Sequence, residues 1–270
     1  MMAAESLVHV LERTIVIGAD REVVFRFFID SARWASWWGR GSSVEPRSGG
    51  RVVIRYPDGT EATGEVVELV PPERFVFTYG YASGRPVPPG GSLVTIQLDR
   101  HGACTRLRLS HAFAEAAVRD EHVQGWRYQL SLFANVVAND LHADSAALVD
   151  RWFAAWSEPD DRARLSLLDG VLTDDIVMRD QFSAIDGCAD LLAHLQAVHR
   201  FMPGVAIRRD GDIRHCQGMV LADWIATMRD GAERGRGTNV FELSPDKRIA
   251  AVTGFWSAAP IAARKSEVQS

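Results

Sequence analysis

The first 141 residues contain no lysine. They carry 15 arginines against 16 acids, a net of −1, and the remainder carries 15 Lys and Arg against 19 acids, a net of −4, for −5 over all 270 residues. Neither part has the basic excess that phosphate-backbone binding needs, so no nucleic-acid partner is expected. Cysteine is also scarce. Cys104, Cys188 and Cys216 form an odd, scattered set, which fits reduced cytosolic thiols better than a disulfide framework. No stretch approaches the roughly 18 to 20 uninterrupted apolar residues of a spanning helix, so no membrane partner is expected either. The opening MMAAESLVHVLERT lacks a basic start followed by an apolar run, and the expectation is a cytoplasmic protein without a secretory signal.

A metal set is absent as well. His194 and His199 are five positions apart, which puts them on different sides of a helix, and neighbouring His215 and Cys216 on a strand face opposite ways. The GRG at 235–237 precedes a strand pattern, whereas a phosphate loop opens a helix. Neither a metal nor another cofactor is therefore expected.

What is present is the composition of a globular chain, 47% hydrophobic and 24% charged, at a length that suits two domains. The stretch Ala112 to Asp140 divides them. Val123, Trp126, Leu130, Phe133 and Val137 recur at steps of three and four, the stripe of an amphipathic helix that needs an apolar surface to lie on. Upstream, the pattern predicts a strand over Val10–Ile17, a helix over Arg21–Ile29 capped by Asp20, and strands at 51–56, at 75–81, at 92–98 and at 105–111 with a further strand ending at Val70. Trp34, Trp37 and Trp38 demand a large apolar recess, either as a core cluster or as direct ligand contacts. Alternation places Phe75, Phe77, Tyr79 and Tyr81 on one strand face. His111 shares a face with Leu107 and Leu109, as a hydrogen-bonded core residue or a group for ligand binding or proton transfer.

Strand, short helices, antiparallel strands and one long closing helix describe a helix-grip. The segments ADREVVFRFF, SARWASWWG, GEVVELVPPERFVFTYGY and HVQGWRYQLSLF resemble the START-like (SRPBCC) family of homologues of the activator of heat-shock-protein-90 ATPase, over about residues 8 to 140. The resemblance implies an internal pocket without a shared catalytic set. Trp34, Trp37, Trp38, Phe77, Tyr79, His111 and Trp126 are its candidate ligand contacts.

Downstream, helices are predicted at 142–157, 162–168 and 189–200, a strand carries Ile176, Met178 and Asp180 on one face, and long strands run at 205–216, 219–229, 236–243 and 248–257. Asn239 shares a face with Phe241 and Leu243, and Asp223 with Leu221 and Ile225. Helices followed by a curved antiparallel sheet describe an α+β cone. The segments FAAW, TDDIVMRD, GRGTNVFEL and RIAAVTGFW resemble the nuclear transport factor 2-like superfamily, with its SnoaL-like and ketosteroid-isomerase-like enzymes, over about residues 143 to 258. That resemblance implies Asp180 as general base, Asn239 at the position of an acid that donates to the substrate oxyanion, and Trp152 at the position of a tyrosine donor. Trp152 offers only an indole N–H and Asn239 an amide, so both depart from the pattern. An Asp180 salt-bridged to an arginine is the competing reading.

The expected architecture is therefore α+β in two domains: a START-like helix-grip at 1–141, a nuclear transport factor 2-like cone at 142–260, and a disordered tail at 261–270. The expected partner is a small apolar molecule, with Trp156, Met178 and Phe241 as further contacts in the second cavity. Proton-transfer chemistry of isomerase or cyclase type on a carbonyl compound is one functional expectation. A non-catalytic carrier or sensor, and a chaperone ATPase cofactor, are the others. Homodimerisation through the C-terminal domain is expected from its apolar sheet face.

Overall fold

The computed structural model describes residues 7–257, so the expected tail at 261–270 lies outside the described residues. The fold is α+β, in two compact units that divide between Leu141 and His142.

The first unit runs β1 (His9–Ile17), α1 (Arg21–Ile29), α2 (Ser31–Trp38), β2 (Ser43–Val44), β3 (Arg51–Arg55), β4 (Glu61–Val70), β5 (Arg74–Tyr81), β6 (Ser92–His101), β7 (Cys104–Phe113) and α3 (Ala116–Leu141). Its strands form one sheet in the order β1-β7-β6-β5-β4-β3-β2, and every pairing is antiparallel. A bulge between Val66 and Glu68 interrupts the β4–β5 register, a device that adds local twist. Nearby, a Cβ on Gly64 would lie 1.6 Å from the Thr78 carbonyl oxygen, so only glycine fits where these strands meet. The long helix α3 lies against β1 and β7 and buries Trp126, Leu130, Phe133 and Val137, four of the five positions of the predicted stripe.

Three local expectations change. The stretch from Ala112 does not enter the helix at once, because β7 continues through Phe113 in register with His9 of β1. The β6–β7 turn is tighter than predicted, with His101 paired to Cys104. Asp20 occupies the N-cap of α1 without a side-chain bond. Its backbone carbonyl instead accepts from the N–H groups of Val23 and Val24, at 3.0 Å each. Side-chain capping occurs one helix later, where Asp30 accepts from the Arg33 N–H at 3.0 Å.

The second unit runs α4 (Ser145–Ser157), α5 (Asp161–Leu168), β8 (Leu172–Arg179), β9 (Ala184–Asp186), α6 (Cys188–Phe201), β10 (Ala206–Arg209), β11 (Arg214–Cys216), β12 (Met219–Thr227), β13 (Glu233–Leu243) and β14 (Ile249–Trp256). Its sheet follows the order β10-β12-β13-β14-β8-β9, with β11 also on β12. All pairings are antiparallel except β14 with β8. The strand predicted over 205–216 is broken in two. The Asp210 N–H still donates to the Asp223 carbonyl at 2.8 Å as the next rung of the β10–β12 ladder, and the chain leaves the ladder at Gly211, which adopts φ +83°. On the core side, Trp152 and Phe153 of α4 meet the Phe241 ring at 6.0 Å each. Arg164 is fully buried at the start of α5, where it donates to the Glu158 carbonyl and to the Asp161 carboxylate. No helix among the described residues is long and apolar enough to cross a membrane.

Candidate functional site

Residues from both layers of the second unit converge on one small cavity. Helix α4 contributes Trp152, Phe153 and Trp156 at helical spacing, β12 contributes Trp224, β13 Asn239 and β14 Trp256, with Met178, Asp180 and Ile207 completing the wall. About 40 Å³ of open space remains among them. That holds a few waters or a group of a few heavy atoms, not a fused ring system.

Asp180 stands one residue beyond the end of β8, so it meets the cavity at its rim and is only half-buried. Two N–H groups hold its carboxylate: the Phe182 backbone at 2.8 Å on Oδ1, and the Trp256 indole at 3.2 Å on Oδ2. No arginine pairs with it among the described residues. Neighbouring Arg179 points the other way, to Asp186 at 2.6 Å and to the carbonyls of Met178 and Ile185. Strand alternation explains the divergence, since Arg179 and Asp180 face opposite sides. The salt-bridge reading of Asp180 is thereby overturned, and Asp180 does not share the full burial of Ile176 and Met178, whose strand face it was expected to continue.

Asn239 is buried, and its Oδ1 accepts from the Trp224 indole at 2.9 Å. Because an indole can only donate, this bond fixes the amide orientation and leaves the NH₂ end as the donor. Gly254 brings the two polar groups together. A Cβ there would sit 3.2 Å from Asn239 Oδ1 and 3.2 Å from Asp180 Cβ, in the space the missing side chain leaves. Trp152, Trp156 and Met178 line the cavity as expected, whereas Phe241 packs behind Trp152 in the core and does not. Trp224 and Trp256 were not anticipated. The signal was available: Val220, Ala222, Trp224 and Ala226 alternate inward along β12. Asp223, on the opposite face of that strand, is half-buried and pairs with Arg214 at 3.3 Å.

In the first unit the expected ligand contacts are core. Trp34, Trp37, Trp38 and Phe77 are buried, with Trp37 4.4 Å from Trp38 and 4.7 Å from Phe133 of the facing helix. Phe28 bridges from Phe75 at 5.9 Å to Phe133 at 5.1 Å, so rings fill the space between sheet and helix here. The indole N–H groups of Trp37 and Trp38 are buried without a partner.

His111 is a satisfied core histidine. Trp126 donates to its Nδ1 at 2.9 Å, which requires the proton on Nε2, and Nε2–H donates to Ser92 Oγ at 2.8 Å. Ser92 in turn donates to the Tyr79 carbonyl. Burial, with a smaller contribution from His122, holds the His111 pKa well below the usual histidine range. The Tyr79 and Tyr56 hydroxyls share a 2.9 Å hydrogen bond, and burial raises both pKa values. In all three groups burial favours the neutral form.

Residues 18–138 match the family model of the Activator of Hsp90 ATPase homolog 1-like protein. No curated protein matches the chain. Among solved structures, a protein of the SnoaL-like family from Agrobacterium tumefaciens is similar at 23% identity and a TM-score of 0.40, over 44% of this chain and 99% of that one. The Aha1 dimer from Colwellia psychrerythraea is similar at 17% identity and a TM-score of 0.42, over 47% of this chain and 95% of its own. CalU16 from Micromonospora echinospora is similar at 23% identity and a TM-score of 0.41, over 49% and 78%.

Proposed function

We propose that this chain, whose residues 18–138 form a domain of the Hsp90-ATPase-activator homologue type, binds a small molecule in the cavity of its second domain and transfers a proton on it. Asp180 is the base, and the Asn239 NH₂ group donates to the developing oxyanion, with Trp152 beside it. The observation that carries this reading is the convergence of an arginine-free carboxylate and an oriented amide on one small apolar cavity. A carboxylate in such a setting takes up and releases a proton without a competing cation, and a fixed donor at the oxygen lowers the barrier to enolate formation.

The test is α-proton exchange of small carbonyl compounds in deuterated water, followed by NMR. Asp180→Asn should abolish exchange, and Asn239→Leu should slow it about 10²- to 10³-fold, the cost of one oxyanion donor. Exchange unaffected by Asp180→Asn refutes the assignment. A carrier without turnover is the second reading. The half-buried position of Asp180 favours it, and it predicts a ligand in organic extracts of the purified protein but no exchange. We also infer self-association through the second domain, supported by Phe255 at 58% exposure on β14. Phe255→Asp should then lower the mass seen by sedimentation.

A further inference from the structure

The wall of the second cavity has an unusual charge and ring content. Trp152, Trp156, Trp224 and Trp256 surround it, Asp180 supplies one negative charge, and no lysine or arginine lines it. The geometry points to a small organic cation, an alkylammonium head such as a trimethylammonium group, as the ligand of this cavity. This rests on the proposed reading of the cavity as a ligand site and names the charge class of its guest.

Three physical considerations lead there. Indole rings are the strongest aromatic partners for cations, through the negative quadrupole of the π-face, and several together replace the water that a methylated ammonium sheds. The N–H edges of two of these rings are already engaged, Trp224 with Asn239 and Trp256 with Asp180. Those rings therefore have only π-surface and C–H edges left to offer a guest. Asp180, finally, receives two N–H donors but no cationic partner among the described residues. A neutral apolar guest would strip water from that carboxylate without return, and an anion would be repelled by it; a cation offsets the desolvation.

The size sets the pose. About 40 Å³ of open space is smaller than a whole trimethylammonium head, so the guest seats a methyl group or two among the indoles and keeps its charged nitrogen at the rim, where Asp180 stands. The bound cation lowers the basicity of Asp180, but an ammonium group beside a carbonyl also makes the C–H between them more acidic, and the two effects oppose each other.

The experiment is a calorimetric titration of the full chain with choline and with 3,3-dimethylbutan-1-ol, which has the same shape with carbon in place of the charged nitrogen. Tetramethylammonium chloride serves as a headgroup-only probe and sodium chloride as a salt control. Choline should bind at least about tenfold more tightly than the alcohol. Asp180→Asn, which keeps the shape and removes the charge, should erase that preference, and Trp152→Leu should weaken choline more than the alcohol. Circular dichroism and a cooperative urea transition establish that each variant folds. Equal or tighter binding of the alcohol overturns the cation assignment while leaving the cavity a ligand site. Binding of neither compound overturns both.

Discussion

Lowering the pH should destabilise the first domain through one residue, His111. It is fully buried and hydrogen-bonded at both ring nitrogens in its neutral form. Its folded pKa is depressed by burial, so below about 6.5 the unfolded chain takes up a proton that the folded chain does not. Stability is therefore full above that value and falls as the pH drops beneath it. Because the folded pKa is held well below the usual histidine value, the loss between pH 7.5 and pH 5.5 approaches a limit of about 1.4 kcal/mol, one tenfold change in the unfolding equilibrium. Carboxylates contribute little across that window because they titrate lower. His142 and His199 of the second domain are also depressed by burial, so the whole chain is not the right reference. The right comparison is His111→Gln. Urea unfolding of both proteins at the two pH values, followed by tryptophan fluorescence, should show the wild type losing up to about 1.4 kcal/mol more than the variant. Equal losses would mean that His111 is protonated in the fold, and the hydrogen-bond assignment to Trp126 would fall with it.

Other changes follow from single contacts. Phe133→Ala should cost about 3 to 5 kcal/mol in urea unfolding as a large-to-small core change, and a cost under about 1 kcal/mol would mean that α3 does not face the sheet through this stripe. Trp224→Phe leaves the buried Asn239 oxygen without its donor and should cost about 1 to 3 kcal/mol; a neutral effect would remove the argument for a fixed amide. Gly64→Ala forces a Cβ to 1.6 Å from a backbone oxygen, and should lower the melting temperature far more than Gly49→Ala, which meets open space though its φ of +71° is itself unfavourable. Expressed separately, residues 1–141 and 142–270 should each unfold cooperatively, as the division between Leu141 and His142 suggests.

Periodicity made the elements legible because burial on one face repeats with the geometry of the backbone. The α3 stripe and the inward row of β5 are read directly from the chain. Periodicity does not say how far along an element a residue sits from its end. Asp180 follows the parity of Ile176 and Met178, yet it lies past the last residue of β8, and that single step turns a buried acid into a rim acid. Nor does it say whether an interior is open. Trp34, Trp37 and Trp38 were compatible with a lined pocket or a filled core, and only the ring distances to Phe75, Phe77 and Phe133 decide for the core. The Trp224–Asn239 and Trp256–Asp180 bonds join residues 15 and 76 positions apart, and no local pattern encodes them.

The lone parallel pairing among the described strands, β14 on β8, bears on the order in which the site is assembled. Strands β12, β13 and β14 are joined by hairpins, so Trp224 and Asn239 come together through short loops. Asp180 reaches them only when β8 closes onto β14 across more than seventy residues, with Val252 opposite Met178. Closure of so long a loop costs entropy before any contact is gained, and such pairings form late. A partly folded second domain would thus carry the amide half of the site without its carboxylate. Ligand binding would report the finished sheet, and a ligand that needs Asp180 would draw the folding equilibrium toward that last step.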